Sequence, residues 1–312
     1  MSVMTDQLSF TLTQLQYFVV SAELGNISEA AERLCTSQST VSSAVRRLEH
    51  HLGVQLLLRH HARGVSLTPS GRQLLQEAHM LLGQARSLKA QSDSLVSEIS
   101  GTIDVGFFFP IAPFLVPLTC RLAKRRHAAL QVNVHEESAD RILEFLRTGR
   151  CELVVTYDFL SGEAEFHPLV RLPLYALLAK DDPRAVEGRI SLGELVAQPL
   201  VTLSSPSVVR HFEQLCVSAG APVPEVIKTT TLETMRGLVA AGLGFALMYQ
   251  RASSVTTLDG REVRAVEIID DMKPSSIGVA IVPGVPVSGR GEAFLKVLRS
   301  AISISYGMTA RG

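Results

Sequence analysis

The chain has 312 residues, more than one ordinary hydrophobic core accommodates, so two or more domains are expected. Its 30 Lys and Arg residues equal its 30 Asp and Glu residues, which argues against a protein coated in basic charge for binding nucleic acid. Hydrophobic residues make up 46% and charged residues 19%, which excludes wholesale disorder and predicts a well-filled interior. A neutral total can still conceal a local charge.

The N-terminus shows neither the basic nor the apolar segment of a secretory signal, so the expected location is the cytoplasm. The longest uncharged, largely apolar run, residues 105–120, is interrupted by prolines and too short to span a bilayer. Four cysteines are scattered without a Cys-x-x-Cys pair, at Cys35, Cys120, Cys151 and Cys216. Free, mostly buried thiols are the simplest interpretation, and a redox sensor is the alternative. No metal and no cofactor are predicted.

Three helices are predicted at the start of the chain. Residues 11–24 carry apolar side chains at helical spacing. Asn26 and Glu29 resemble a capping box that opens a short second helix. Ser37 is expected to cap a third helix that runs to about His51. Two short helices joined by a tight turn are typical of the helix-turn-helix motif.

The third helix has two predicted faces. One is an apolar stripe formed by Val41, Val45, Leu48 and Leu52. The other is polar, and Gln and Arg can each make paired hydrogen bonds to base edges in a major groove, while Ser can bind a base or a phosphate. The residues expected to contact DNA from this helix are Ser37, Gln38, Ser39, Ser42, Ser43 and Arg46. A merely solvated face is the alternative.

The charge around this helix favours DNA contact. Between Arg33 and Arg72 there are six arginines, one acid (Glu49) and no Lys or Asp, so six minus one gives a local net charge of +5. Such a concentration of positive charge suits the phosphate backbone better than it suits an ordinary solvated surface.

An apolar run, a basic turn and a second short strand pattern follow over residues 56–68. They predict a β-hairpin, which here would be the wing of a winged helix. Arg63 stands at the predicted tip, where it can reach a minor groove or a phosphate. The neighbouring His60 and His61 do not favour a zinc site, because adjacent side chains point in different directions and no third ligand is suitably spaced.

A dense and ordered set of residues spans positions 12–72: Leu15, Phe18, Ala30, Ala31, Leu34, Ser37, Gln38, Ser39, Val41, Ser42, Leu48, Glu49, Leu52, Gly53, Leu56, Arg59, Leu67, Thr68, Pro69 and Gly71. This set closely resembles the winged helix of LysR-type transcriptional regulators. The resemblance implies a sequence-specific DNA-binding domain over residues 1–68. The chain departs from the family at Leu57, usually Phe, and at Ser43 and Ala44, where an Arg and a polar residue are common. The bases read at position 43 are therefore expected to differ.

A long helix is predicted over residues 69–100, because Thr68 and Pro69 form a good helix start. Apolar residues then recur at alternating spacings of four and three, which describes a coiled-coil seam. The leucines expected to pair two such helices are Leu74, Leu81, Leu88 and Leu95. Packing of this helix on its own domain is the alternative. The family resemblance also implies a linker helix that pairs two winged helices, so that a dimer reads two half-sites.

Strands and helices alternate from residue 101 onward. The order strand–helix–strand–helix–strand over residues 102–157 predicts a parallel sheet. A second set follows, and the last strand and helix are expected to return to the first set. The predicted architecture is two α/β lobes, about 101–172 with 272–312 and about 173–271. It resembles periplasmic-type binding proteins and, with them, the effector domain of the LysR-type family.

A ligand is expected between the lobes, where strands end and helix N-termini converge. Such termini favour anions, and the run of three phenylalanines before Pro110 favours an aromatic or apolar ligand body. In the family, Ser or Thr is frequent at the position of Pro110. The residues expected to contact the effector are Phe108, Phe109, Pro110, Ser138, Ser204, Ser205 and Thr231. For the hydroxyl residues, capping of the following helix is the alternative. The glycines in residues 239–244 predict a tight helix-to-strand turn rather than a nucleotide loop.

The sequence therefore predicts a winged helix-turn-helix, a linker helix and a two-lobed α/β effector domain. The expected function is a transcriptional regulator controlled by a small anionic or aromatic effector. Its expected partners are double-stranded DNA, the effector and a second copy of the chain. A tetramer and contact with RNA polymerase are left open. No catalytic constellation is present, so no enzyme is predicted. The alternative is a solute-binding protein of a transport system, which needs a secretion signal and leaves residues 1–100 unexplained.

Overall fold

The computed structural model describes residues 10–60, 64–94 and 99–307. The chain divides into two compact units, residues 1–95 with 147–150, and residues 96–146 with 151–312. None of the described helices has the length and apolarity needed to cross a membrane.

The first unit is a winged helix-turn-helix followed by a long helix. Its elements are α1 (Leu12–Leu24), α2 (Ile27–Arg33), α3 (Gln38–Leu52), β1 (Leu57–His60), β2 (Gly64–Leu67) and α4 (Pro69–Ser94). The two strands pair antiparallel, as the predicted wing requires. All three predicted helices before the wing are confirmed, and so is the hydroxyl cap of α4, where Thr68 Oγ1 accepts from the Gly71 amide at 2.9 Å.

A capping box is present, but it lies at α1 rather than at α2. Thr11 Oγ1 accepts from the Gln14 amide at 3.2 Å, and Gln14 Oε1 accepts from the Thr11 amide at 2.9 Å. At α2, Asn26 caps through the Ser28 amide at 2.9 Å, and its side-chain amide donates to Glu29 Oε1 at 3.0 Å. Asn26 and Glu29 thus open α2 as predicted, but Glu29 bonds the side-chain amide of Asn26 instead of its backbone amide.

The core of the first unit lies between α1, α3 and the wing. Phe18, Val41, Val45 and Leu48 are fully buried, which confirms the apolar stripe predicted for α3. The wing is held close to the turn after α1. At Gly64, φ is +80°, and an added Cβ would lie 2.2 Å from a backbone oxygen of that turn, so only glycine fits.

The second unit contains two α/β lobes. The chain first forms β3 (Gly101–Phe108), α5 (Ala112–Arg126), β4 (Leu130–Glu137), α6 (Ala139–Arg147), β5 (Leu153–Tyr157) and β6 (Glu165–Leu172). It then forms β7 (Tyr175–Ala179), β8 (Arg189–Ile190), α7 (Leu192–Leu195), β9 (Leu200–Leu203), α8 (Pro206–Ser218), β10 (Val226–Thr229), α9 (Leu232–Ala240), β11 (Ala246–Met248) and β12 (Val263–Ile268). It ends with β13 (Ser275–Ile281) and α10 (Gly289–Ser305).

The sheet of the first lobe has the strand order β4-β3-β5-β13-β6. Strands β4, β3 and β5 are parallel, as predicted, whereas β13 runs antiparallel between β5 and β6. The predicted return of the last strand to this lobe is therefore confirmed. Strand β6 was not predicted, because it contains Pro168. Proline is tolerated there since β6 is an edge strand, and the register of its pairing shifts beside that residue.

The second lobe is a mixed rather than a parallel structure. Its four-stranded sheet has the order β11-β7-β12-β8, and β9 and β10 form a separate parallel pair. The chain crosses between the lobes twice, through residues 173–174 and through residues 269–274. The predicted tight turn before β11 is confirmed at Gly244, where φ is +155° and an added Cβ would lie 2.2 Å from the carbonyl oxygen of Pro199.

Candidate functional site

The polar face of α3 is exposed over its whole length. Gln38, Ser39, Ser43, Arg46 and Arg47 are exposed, while the opposite stripe is buried. Within the described residues, neither arginine pairs with a carboxylate. The face therefore presents unpaired guanidinium and amide groups to the surroundings, which are the groups that bind base edges and phosphates.

In the first turn of α3, the hydroxyl of Ser37 has a structural role, whereas the side-chain amide of Gln38 is available for binding. Ser37 Oγ accepts from the Thr40 amide at 3.1 Å and lies 2.9 Å from Ser39 Oγ and 2.7 Å from Thr40 Oγ1. Ser37 is thus the N-cap of the helix. Gln38 makes no hydrogen bond with the described residues, so its amide is free to pair with a base.

A hydrogen bond connects the wing to α3. Arg59, on β1, donates from Nη1 to Ser42 Oγ at 2.8 Å. Arg59 belongs to the family motif but was not predicted as a contact residue. No local sequence pattern indicates this contact, because only the folded hairpin brings Arg59 beside Ser42, which is 17 positions away. Arg63, the predicted tip contact, lies outside the described residues.

Glu49 fixes the start of the wing. Its Oε1 accepts from the amides of Leu56 at 2.8 Å and Leu57 at 3.0 Å. A carboxylate that accepts two backbone hydrogen bonds forms a strong junction. In the sequence Glu49 was only the single acid in a basic segment, and its structural role was missed.

The seam predicted on α4 has two different environments. Leu74 packs partly buried against the core of the first unit, and Ala78 is 2% exposed. Further along, Leu81 is 43% exposed and Leu88 is 69% exposed. Leu95 lies outside the described residues. The N-terminal part of the seam therefore packs on its own domain, and the following leucines remain available to a second chain.

An apolar cavity of about 50 Å³ lies between the two lobes of the second unit. The predicted residues Phe108 and Pro110 line it, whereas Phe107 packs edge-on against Phe294 in the core. The rest of the lining is aromatic, aliphatic or uncharged, including Phe114, Tyr157, Phe159, Phe212, Met235, Tyr249 and Gln250. The lining contains no charged side chain.

A larger groove of about 870 Å³ shares part of this lining. The predicted residues Phe109 and Thr231 lie along it, together with Arg236 and Arg251. Arg236 is only 6% exposed, and its guanidinium pairs with Glu233 and donates to the carbonyl oxygens of Ser254 and Thr256. It therefore anchors the loop after β11 instead of offering a free cation.

The predicted hydroxyl residues do not converge. Thr231 Oγ1 caps α9 by accepting from the Thr234 amide at 3.2 Å. Ser138, Ser204 and Ser205 lie outside the lining of both the cavity and the groove. Ser205 precedes α8 without capping it, and its Oγ is buried with no hydrogen-bond partner among the described residues.

Gln250 joins three tyrosines at the back of the cleft. It is 2% exposed, accepts from the Tyr157 hydroxyl at 3.1 Å and donates to the Tyr306 hydroxyl at 2.6 Å. Its backbone carbonyl accepts from the Tyr175 hydroxyl at 2.6 Å. Burial raises the pKa of Tyr175 to about 12 and the pKa of Tyr157 well above its usual range, so both phenols stay protonated.

Three near-parallel rings cross the cleft. Tyr157 and Phe159 belong to the first lobe, with ring centroids 5.3 Å apart and planes inclined by 17°. Phe159 stacks in turn on His211 of α8, in the second lobe, at 3.5 Å and 4°. We refer to these three residues as the ring stack. His211 was not predicted, although it lies three residues after Val208 and therefore beside the buried stripe of α8.

The imidazole of His211 is neutral. Its Nε2 lies 2.8 Å from the hydroxyl of Tyr249. Burial lowers the pKa of His211 to about 4, and the nearby carboxylate of Asp158 opposes this shift only in part. That carboxylate is itself engaged, because it accepts from the amides of Phe159 and Ser276 at 2.9 Å and from the Ser275 hydroxyl at 2.6 Å.

Two of the four cysteines are made less reactive by burial. Cys35 is exposed, Cys120 is half-buried, and Cys151 and Cys216 are buried, and none of the four is in a disulfide bond. Burial raises the pKa of Cys120 and of Cys216, which keeps these thiols protonated and weakly nucleophilic. The described residues contain no cluster of side chains suited to hold a metal ion.

A winged helix with an exposed basic reading face, followed by two lobes that close over an aromatic cavity, defines a class of effector-responsive DNA-binding regulators. A family model described as "Bacterial regulatory helix-turn-helix protein, lysR family" matches residues 12–72. A second, "LysR substrate binding domain", matches residues 97–303, which is more than half of the chain. The chain belongs to the LysR family of transcriptional regulators.

Known proteins of similar length support this assignment. The chain is 28% identical over 294 residues to the DNA-binding transcriptional dual regulator OxyR of Escherichia coli, covering 93% of this chain and 95% of OxyR. The solved structure of HinK, a LysR family regulator of Pseudomonas aeruginosa, is 28% identical with a TM-score of 0.60, covering 94% of this chain and 98% of HinK. Full-length OxyR of Pseudomonas aeruginosa has the same fold, at 23% identity and a TM-score of 0.74 over 95% of both chains.

These findings separate the two functions that the sequence allowed. The matches run through the winged helix as well as the two-lobed domain, and the relatives are transcriptional regulators. The protein is therefore a DNA-binding regulator modulated by a small-molecule effector, and the alternative of a transport solute-binding protein is wrong.

Proposed function

We propose that this protein acts in the cytoplasm, without enzymatic activity, by reading operator DNA through Gln38, Ser39, Ser43 and Arg46. The observation that carries the proposal is the exposed face of α3, whose amide and guanidinium groups lack partners among the described residues. Ser37 and Ser42 have a supporting role. Ser37 caps the helix, and Ser42 bonds Arg59 of the wing.

The proposed assembly is a homodimer paired through α4. The exposed leucines Leu81 and Leu88 are seven residues apart, so they lie on one side of the helix and form a continuous apolar edge. Pairing of two copies through this edge would place two reading helices on two half-sites. Burial of two large apolar side chains from each chain gives the pairing its driving force.

The proposed effector site is the cleft that contains the cavity. A free volume of about 50 Å³ is far below the roughly 300–1,000 Å³ of ordinary ligand pockets, so the structure corresponds to a closed cleft. An effector that enters this cavity must then displace side chains or separate the lobes. Because it binds the open and closed forms with different affinity, it shifts their populations and changes the geometry of the dimer on DNA.

A DNA-binding titration tests this function. The full-length protein is titrated, at low salt, against the DNA upstream of its own gene and against scrambled DNA of the same composition. We expect a retarded complex that forms at lower protein concentration on the upstream DNA. Absence of binding to every segment by a folded protein would overturn the proposal.

A control variant separates DNA contact by α3 from the general electrostatic attraction between the protein and DNA. Arg46→Ala is compared with Arg290→Ala, which removes the same charge from the second unit. We expect the first variant to lose affinity and the second to bind like the wild type. Equal affinities for both variants would show that α3 does not contact DNA.

A further inference from the structure

The ring stack has an unusual composition, because one of its three members comes from the opposite lobe. Tyr157 is the last residue of β5 and Phe159 lies two residues further on, and the His211 imidazole reaches Phe159 from α8. The imidazole makes the contacts of a bound aromatic ligand: its face lies on Phe159, and its Nε2 bonds the Tyr249 hydroxyl at 2.8 Å.

The surroundings of the stack suit a neutral ring and disfavour an anion. The cavity lining carries no charged side chain. The closest carboxylate, Asp158, repels an anion, although its oxygens are bonded to Phe159, Ser275 and Ser276. Arg236, in the neighbouring groove, is committed to Glu233 and to two carbonyl oxygens. Arg251 also lines that groove, where its guanidinium lies 5.1 Å from the centre of the Tyr175 ring, but it is not part of the cavity lining. Inside the cavity, a carboxylate ligand would therefore lose its hydration without gaining a counter-charge.

The cavity is too small for a ligand, and His211 lies beside it, in contact with the lining residues Phe159 and Tyr249. A space of about 50 Å³ holds one or two water molecules, since a water occupies roughly 30 Å³ in the liquid. Rotation of the His211 side chain out of the cleft would free the additional volume of one five-membered ring. It would also release one face of Phe159 and the hydroxyl of Tyr249.

We propose that His211 is a built-in substitute for the effector, and that the effector is a neutral, planar aromatic or heteroaromatic molecule that replaces the imidazole on Phe159 and hydrogen-bonds Tyr249. This inference rests on the proposed effector site and specifies its ligand class. The bound ring keeps the stack complete, while α8 loses the stacking contact of His211 with Phe159 and keeps its bond from Ser207 to Asp140. Ligand binding thereby weakens the packing of α8, in the second lobe, against the first lobe.

Ring replacement can be tested with imidazole itself. In full-length His211→Ala, imidazole is expected to enter the vacated position and raise the melting temperature, by about 4 °C at ten times its dissociation constant. The wild type keeps its own ring and is expected to show no saturable shift. His167→Ala, which removes an exposed histidine from β6, is the matched control and should behave like the wild type.

Tyrosine fluorescence gives a second measurement. The chain has no Trp and five Tyr, and four of these, Tyr157, Tyr175, Tyr249 and Tyr306, contact one another or Gln250 at the cleft. Imidazole should change this emission in His211→Ala alone. No saturable change in either measurement, with the variant folded by circular dichroism, would overturn the proposal.

If His211→Ala does not fold, two further measurements decide the question. Benzamide should bind the wild type at least tenfold more tightly than benzoate, because the two rings differ mainly in charge. His211→Phe should bind neither, since it fills the position permanently. Equal binding of the two probes would contradict the neutral ligand class. The operator titration of the wild type uses no ligand and does not involve His211, so a failure of that titration is distinguishable from a failure of the benzamide and benzoate measurements.

Discussion

The junction between α3 and the wing offers a quantitative test. Glu49 accepts two backbone hydrogen bonds, from the amides of Leu56 and Leu57 at 2.8 and 3.0 Å. Glu49→Ala leaves both donors without an acceptor in a partly buried place. Since a hydrogen bond to a charged group contributes about 1.5–3 kcal/mol, we expect the free energy of unfolding of the first unit to fall by about 3 kcal/mol. Glu49→Gln keeps one acceptor oxygen and should cost about 1–2 kcal/mol.

Hydrogen exchange in the full-length protein measures this effect at the site itself. The amides of residues 56 and 57 should exchange up to about 100-fold faster in Glu49→Ala, which corresponds to about 3 kcal/mol. Urea denaturation gives the stability of the unit. Glu77→Ala removes an exposed acid from α4 and supplies the control with the same change of charge.

DNA affinity separates the geometric role of Glu49 from its charge. Removing either acid adds one positive charge, which by itself strengthens binding to DNA. Glu77→Ala should therefore bind DNA as well as the wild type or slightly better. Glu49→Ala should bind more weakly, because the wing is no longer held in place. If the two variants show equal stability and equal affinity, the reasoning is refuted.

Three further predictions concern the reading face, the dimer and the cleft. Gln38→Ala should reduce the preference for operator over scrambled DNA by about tenfold, the value of one paired base contact, with unchanged thermal stability; competition gel shifts measure the ratio. Leu88→Glu should convert the dimer to a monomer in light scattering, whereas Leu258→Glu, at a position 89% exposed in the second unit, should leave it intact. Because the folded-state pKa of His211 lies near 4, below its ordinary value of 6.5, the unfolded state binds more protons between these values and stability falls as the pH is lowered through that range. His211→Phe should lose less stability over the same range in urea titrations, and identical pH profiles would contradict the assignment of a buried neutral imidazole.

Local patterns in the sequence were sufficient for most of the first unit. The stripe of α3 has a helical period, and Gly25 and Gly53 end their helices with positive φ. Strands were harder to predict where local signals conflicted. In β6, Pro168 obscured an edge strand, and in β12 the charged Arg264 and Glu267 alternate with buried residues and resemble a loop.

The cleft could be predicted only in part, because its contacts join distant segments. Phe108 and Pro110 were predicted from the end of a strand, and both line the cavity. The stack of Phe159 on His211 joins residues 52 positions apart on different lobes, and no local pattern specifies such a pair. For Thr231, the sequence pattern suggested a ligand contact, whereas its hydroxyl caps the N-terminus of α9.

The first crossing between the lobes consists of Pro173 and Leu174 alone. Proline fixes φ near −65°, which removes one of the few torsions that this short connection contains. At the second crossing, Ile269 and Asp270 are hydrogen-bonded to the second lobe, and the first residues of β13 are hydrogen-bonded to Asp158. Residues 271–274 are therefore the part of this crossing that can bend most easily. Because Pro173 stiffens the first crossing and hydrogen bonds shorten the second, the two connections favour rotation of the lobes about a narrow axis over sliding. Effector binding would thus rotate one lobe relative to the other, with little translation between them.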